Sequence, residues 1–125
     1  MIGIDTAPII YYFEENPRFF SLVQALVAWV DEDDQRRLVT SPITLAEIFV
    51  YPIRENQQAL IETYRSALLD SATIAVHQIG ISDYVRAAEL RAKYNIHTAD
   101  ALQIAGCLSA ACDVFLSQMI YSCVV

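Results

Sequence analysis

A three-layer α/β domain, with a mostly parallel four- or five-stranded sheet flanked by helices, is the fold class that this 125-residue sequence predicts. Three observations predict it. Short apolar runs recur between longer segments with apolar residues at helical spacing, giving the order βααβααβααβ. The short runs are continuously apolar rather than alternating, as in strands covered by helices on both faces. No linker, internal repeat or low-complexity segment divides the chain, so a single domain over residues 1–125 is expected.

The elements follow in order. Residues 1–5 read as a short buried strand. Thr6 is placed to cap the next helix, and Pro8 suits its first turn. That helix runs to about Phe13, and Asn16-Pro17 breaks it. A second helix is expected over 18–31, with Phe19, Leu22, Val23, Leu26, Val27 and Val30 on one stripe. The acidic run Asp31-Glu32-Asp33-Asp34 opposes the dipole at its end and so helps to stop it. Arg37 to Ser41 is the second strand. Ser41-Pro42 starts a helix that Pro52 is expected to end.

Residues 55–69 form an amphipathic helix with Leu60, Ile61, Tyr64 and Leu68 on one side. Thr73 to Ile79 is the third strand, and Ser82-Asp83 opens a helix to about residue 94. Thr98 is placed to cap a helix over 99–111, Asp113 to Ser117 is the fourth strand, and Tyr121 to Val125 is a candidate fifth.

The apolar fraction of 55% excludes a disordered chain. Residues 1–13 lack a basic start and carry Asp5, unlike a signal peptide. The longest mainly apolar run, Phe19 to Val30, is shorter than the roughly 20 residues of a membrane span. The three cysteines, Cys107, Cys112 and Cys123, are odd in number and have no Cys-x-x-Cys spacing. They read as reduced thiols of a cytoplasmic protein. Two histidines make a zinc site a poor expectation. A net charge of −7 argues against broad non-specific nucleic-acid binding, although an acidic site that binds Mg²⁺ is itself negative until the metal arrives.

Three carboxylates are hard to explain by stability alone. Asp5 ends the apolar run Met-Ile-Gly-Ile-Asp. Glu47 interrupts the apolar stretch from Ile43 to Val50, and Asp100 opens a nearly continuous apolar helix. Carboxylates in such settings are normally paired, hydrogen-bonded or metal-bound. In parallel α/β sheets, sites form at the carboxyl ends of the strands. Asp5 ends the first strand, Glu47 lies about one and a half turns into the helix after the second, and Asp100 is in the first turn of the helix leading to the fourth. One shared acidic pocket of hard oxygen donors would suit Mg²⁺ or Mn²⁺. Each acid also has an ordinary reading: Asp5 as a turn or cap, Glu47 as the ion-pair partner of Arg54, Asp100 as an acid favoured by the helix dipole.

The residues that carry these acids resemble those of a known family. Ile4-Asp5-Thr6, Thr40-Ser41-Pro42-Ile43-Thr44-Leu45-Ala46-Glu47-Ile48, the segment Leu90 to Ala105 with its Thr98-Ala99-Asp100-Ala101-Leu102 core, and Phe115-Leu116-Ser117 look like the PIN-domain nucleases, above all the VapC-type toxins of bacterial toxin–antitoxin pairs. The resemblance implies a PIN fold and Mg²⁺- or Mn²⁺-dependent cleavage of RNA. It implies a cognate antitoxin protein and a homodimer as partners; no membrane is expected, from the shortness of the apolar runs. Carried over by position, Asp5, Glu47 and Asp100 are metal ligands and catalytic residues, with Thr6 and Ser117 as supporting hydroxyls. The family's fourth acid falls two residues after the Ser117 position, where this chain has Met119. Two alternatives therefore stand beside the ribonuclease: a degenerate PIN domain that binds antitoxin or RNA without cutting, and a purely structural or interaction α/β domain.

Overall fold

The computed structural model describes residues 1–117. The candidate strand Tyr121–Val125 and the Met119 position lie outside them. The elements are β1 (Ile2–Ile4), α1 (Thr6–Phe13), α2 (Phe20–Asp31), β2 (Leu38–Thr40), α3 (Pro42–Ile48), α4 (Val50–Arg54), α5 (Gln58–Arg65) with a π-helical turn (Ser66–Asp70), β3 (Ile74–Val76), α6 (Ile81–Tyr94), α7 (Thr98–Ser109) and β4 (Val114–Leu116).

The described strands form one parallel sheet in the order β3-β2-β1-β4. Ile2 pairs with Leu38 on one side and Val114 on the other, and Leu38 pairs onward with Ile74. The pleat then divides the side chains between two cores. Ile4, Leu38 and Ile74 join Ile9, Val30, Ile48, Tyr64 and Leu68 in one cluster. Phe115 meets the other cluster, which is built from Ala87, Ile96, Ala101, Leu102, Ile104 and Ala105 of the α6–α7 pair and the turn between them. Helices thus cover both faces, and this is why the strands carry no polar alternation. Tyr64 is 1% exposed and packs edge-to-face on Phe13 and Phe49, at 5.7 and 6.4 Å between ring centres.

Four local expectations are corrected. Asp5, not Thr6, caps α1: its Oδ1 accepts from the Thr6 amide at 2.8 Å. The helix after Ser41 does not run to Pro52. It bends at Phe49, and Pro52 lies in the first turn of α4, where a missing N–H costs nothing. The amphipathic helix is shorter than expected and closes in the π-helical turn, yet it buries the expected face of Ile61, Tyr64 and Leu68. His97, not Thr98, is the N-cap of α7. Arg36 fastens the acidic run after α2 from the side: it faces Glu32 and Asp33 and lies 4.1 Å over the Trp29 ring.

Asn95 ends α6 in the left-handed region, at φ 52°, and its amide donates back to the Arg91 carbonyl. A side chain with Cβ is strained there, and Asn tolerates it better than most. Asn95→Ala is expected to lower stability by about 1 kcal/mol and Asn95→Gly to leave it nearly unchanged, read from urea midpoints.

Candidate active site

Parallel strands bring their carboxyl ends to one edge of the sheet, and the sequence places hydroxyls and acids there. β1 ends at Asp5, whose amide donates to the Leu116 carbonyl and so holds it beside the end of β4. The Asp5 carboxylate is fixed at both oxygens. Oδ1 takes the Thr6 amide, and Oδ2 takes the Ser117 hydroxyl at 2.7 Å. Ser117 directly follows β4, and the parallel pairing of β1 with β4 sets this contact.

Glu47 sits on the solvent side of α3, so burial does not explain it. It is held from below: the Thr6 hydroxyl donates to its Oε1 at 2.8 Å. Among the described residues Glu47 makes no ion pair with Arg54, so that ordinary explanation of it lapses. Thr6 therefore links two of the three acids, giving its amide to Asp5 and its hydroxyl to Glu47.

Asp100 lies half-buried in the first turn of α7. Burial holds its carboxyl above the usual carboxylate range, and the Asp5 charge pushes it further the same way, against a smaller opposing pull from His97. A carboxylate whose ionisation is opposed by a neighbouring acid is a place where a cation lowers the energy of the charged form. Among the described residues, no three acid, cysteine or histidine side chains stand at metal-ligand spacing. The donor set of Asp5, Asp100 and Glu47 fits a hydrated Mg²⁺ or Mn²⁺, which keeps several waters and takes few protein carboxylates directly.

Beneath the acids lies a buried polar cluster that the motif reading did not single out. Thr40, Ser41, Thr44 and Gln103 are each less than 5% exposed. Gln103 donates to Thr44 at 2.8 Å and reaches Thr6 at 3.4 Å, while Ser41 donates to its carbonyl at 2.7 Å. Thr44 in turn meets Thr40 at 2.7 Å and Thr6 at 3.0 Å. The only sign of this hub in the sequence is a glutamine inside the wholly buried run Ala101–Cys107.

No curated protein matches the chain significantly. A solved structure described as VapBC2 from Rickettsia felis bound to a DNA fragment from their promoter superposes with a TM-score of 0.66 over 96% of this chain and 89% of that one, at 15% identity. At that identity the likeness is one of fold. The sequence profile of the PIN domain matches residues 2–118, from the first residue of β1 past the Ser117 that bonds Asp5. The chain therefore belongs to the PIN-domain family.

Proposed function

We propose that the protein is a Mg²⁺- or Mn²⁺-dependent endoribonuclease, the toxin of a type II toxin–antitoxin pair. The observation that carries this reading is the pair Asp5 and Asp100, in which the Asp5 charge opposes ionisation of Asp100 at the carboxyl edge of the sheet, while the Ser117 hydroxyl and the Thr6 amide fix Asp5 in place. Asp5 and Asp100 would hold the metal, and Glu47 would complete its shell or take a proton from the attacking water. When bound, the metal supplies a polarised water and a counter-charge for the phosphoryl oxygens. The chain's own work is orientation. Thr6 and Ser117 hold the Asp5 carboxylate, and Thr6 also holds Glu47 through its hydroxyl. The partners in this reading are an RNA substrate, a cognate antitoxin and a second copy of the chain, in the cytoplasm. The fold likeness to VapBC2 is consistent with the antitoxin, and among the described residues no helix is long and apolar enough to cross a membrane.

One observation favours a second reading. Met119 stands where the family has its fourth acid, which favours a domain that binds antitoxin or RNA without cutting. Incubation of the purified chain with structured RNA, with Mn²⁺ or with EDTA, separates the two. The nuclease reading expects cleavage that needs Mn²⁺, and Met119→Asp raises its rate about tenfold or more by adding a ligand. Full-length RNA with the wild type, and cleavage switched on only in Met119→Asp, would establish the degenerate reading instead.

A further inference from the structure

We propose that Gln103 is a positioning residue of the acidic site, acting through Thr6 on Glu47. Its catalytic consequence rests on the nuclease reading; its structural claim does not. Hydrogen-bond direction assigns this role. A carboxylate only accepts, so the single hydrogen of the Thr6 hydroxyl is committed to Glu47. Thr6 must then accept at its other contacts. Thr44, 3.0 Å away, must donate to it, which leaves Thr40 to donate to Thr44 at 2.7 Å. The side-chain amide of Gln103 supplies the remaining hydrogens, one to Thr44 at 2.8 Å and one to Thr6 at 3.4 Å.

The amide can face only one way. Turned over, its oxygen would take the Thr44 hydrogen, and Thr44 and Thr6 would confront each other with lone pairs alone. Ser41 secures the working orientation, since its hydroxyl donates to the Gln103 carbonyl at 2.7 Å while its oxygen accepts the Ile43 amide. Every contact is then satisfied, and among the described residues no buried side-chain polar atom lacks a partner. The result is a one-way relay from Ser41 and Gln103 to the threonines and out to Glu47. Gln103 is 2% exposed and Thr40, Ser41 and Thr44 are buried around it, so bulk solvent does not reach the place of the amide. Without those donors the Thr6 hydroxyl can turn back to Thr44 and release Glu47.

The test is a double-mutant cycle with Gln103→Met and Thr6→Val, read by Mn²⁺ affinity in calorimetry, by kcat and KM on RNA, and by crystal structures. Gln103→Met is expected to weaken Mn²⁺ binding and lower kcat about tenfold each, with KM moved less than about twofold. The Thr6–Glu47 contact opens in its crystal structure. The double variant is no worse than Thr6→Val, because both act through one hydroxyl. Gln103→His, which keeps one N–H and one lone pair, restores most of the loss. If Gln103→Met does not fold, Ser41→Ala replaces it, with a loss of about threefold that again vanishes in the Thr6→Val background. Losses that multiply in the double variant, or an intact Thr6–Glu47 contact with unchanged Mn²⁺ affinity, would overturn the proposal. A wild type that binds Mn²⁺ but cuts no RNA refutes the nuclease reading alone, and the calorimetric cycle still decides the role of Gln103. If the wild type binds no Mn²⁺ either, the Thr6–Glu47 contact in the variant crystals decides it.

Discussion

Asp5→Asn and Asp100→Asn are each expected to reduce Mn²⁺-dependent RNA cleavage by on the order of 100-fold or more, the upper end of what losing even a ligand's hydrogen-bond partner costs. What sets Asp100→Asn apart is the opposite sign of its effect on the metal-free fold. The Asp100 carboxyl is held above its ordinary value of 3.8 by burial first and by the Asp5 charge second, with His97 opposing. Between the ordinary value and the raised one, the folded chain keeps a proton that the unfolded chain releases. Stability therefore falls as pH rises through that window, and the penalty is complete above the raised value. Asparagine carries no charge, so metal-free Asp100→Asn melts higher than wild type at pH 7. The difference disappears below the ordinary carboxylate range, where both forms are neutral. Mn²⁺ reverses the order, stabilising the wild type and not the variant. Melting curves at pH 3 and pH 7, with EDTA and with Mn²⁺, check these three outcomes. A lower melting temperature for Asp100→Asn in EDTA at pH 7 would show that the carboxylate is structural.

Much of this arrangement is legible in the sequence because parallel α/β topology does the convergence. Asp5, Ser41 and Ser117 each follow an apolar strand run, so the carboxyl edge of the sheet gathers them once the order of elements is read. The relay below is different in kind. Gln103 and Thr6 are 97 residues apart, and Ser41 and Gln103 are 62 apart. No local period links them, and threonines at a strand end and in a helix have ordinary local roles in capping and turns. Two of the local misreadings have separate causes. Asp5 outcompetes Thr6 as a cap because its carboxylate reaches the Thr6 amide, which leaves the Thr6 hydroxyl free for Glu47. Pro52 looks like a helix end when read alone, but it fits the first turn of a new short helix equally well.

Gly3→Ala is expected to lower stability by about 3 kcal/mol, at the upper end for an overpacked core. Glycine in the middle of a buried strand is costly on propensity, so its presence signals a close approach. That approach comes from α7 and β4: a Cβ on Gly3 would collide with Cys107 Sγ and lie 3.1 Å from Cys107 Cβ and 2.9 Å from the Phe115 ring. The Cys107 side chain on α7 and the Phe115 ring on β4 cannot both stay where they are. The Cys107 thiol is pushed up to about 12, by burial first and Cys112 second, so it sits there as a small neutral group rather than a reactive one. Cys107→Gly removes both of its close atoms. The double variant Gly3→Ala with Cys107→Gly should therefore recover part of the loss and be more stable than the sum of the single changes predicts. Urea unfolding midpoints measure this. The lesion also reaches the site, because Gly3 is two residues before Asp5 and pairs with Phe115, two residues before Ser117. Forcing β1 away from α7 shifts the Asp5–Ser117 contact relative to Asp100, so Gly3→Ala weakens Mn²⁺ binding even in the fraction that folds. An unchanged Mn²⁺ affinity in folded Gly3→Ala would mean that Asp5 is positioned by its own hydrogen bonds and not by the seat of β1 on α7.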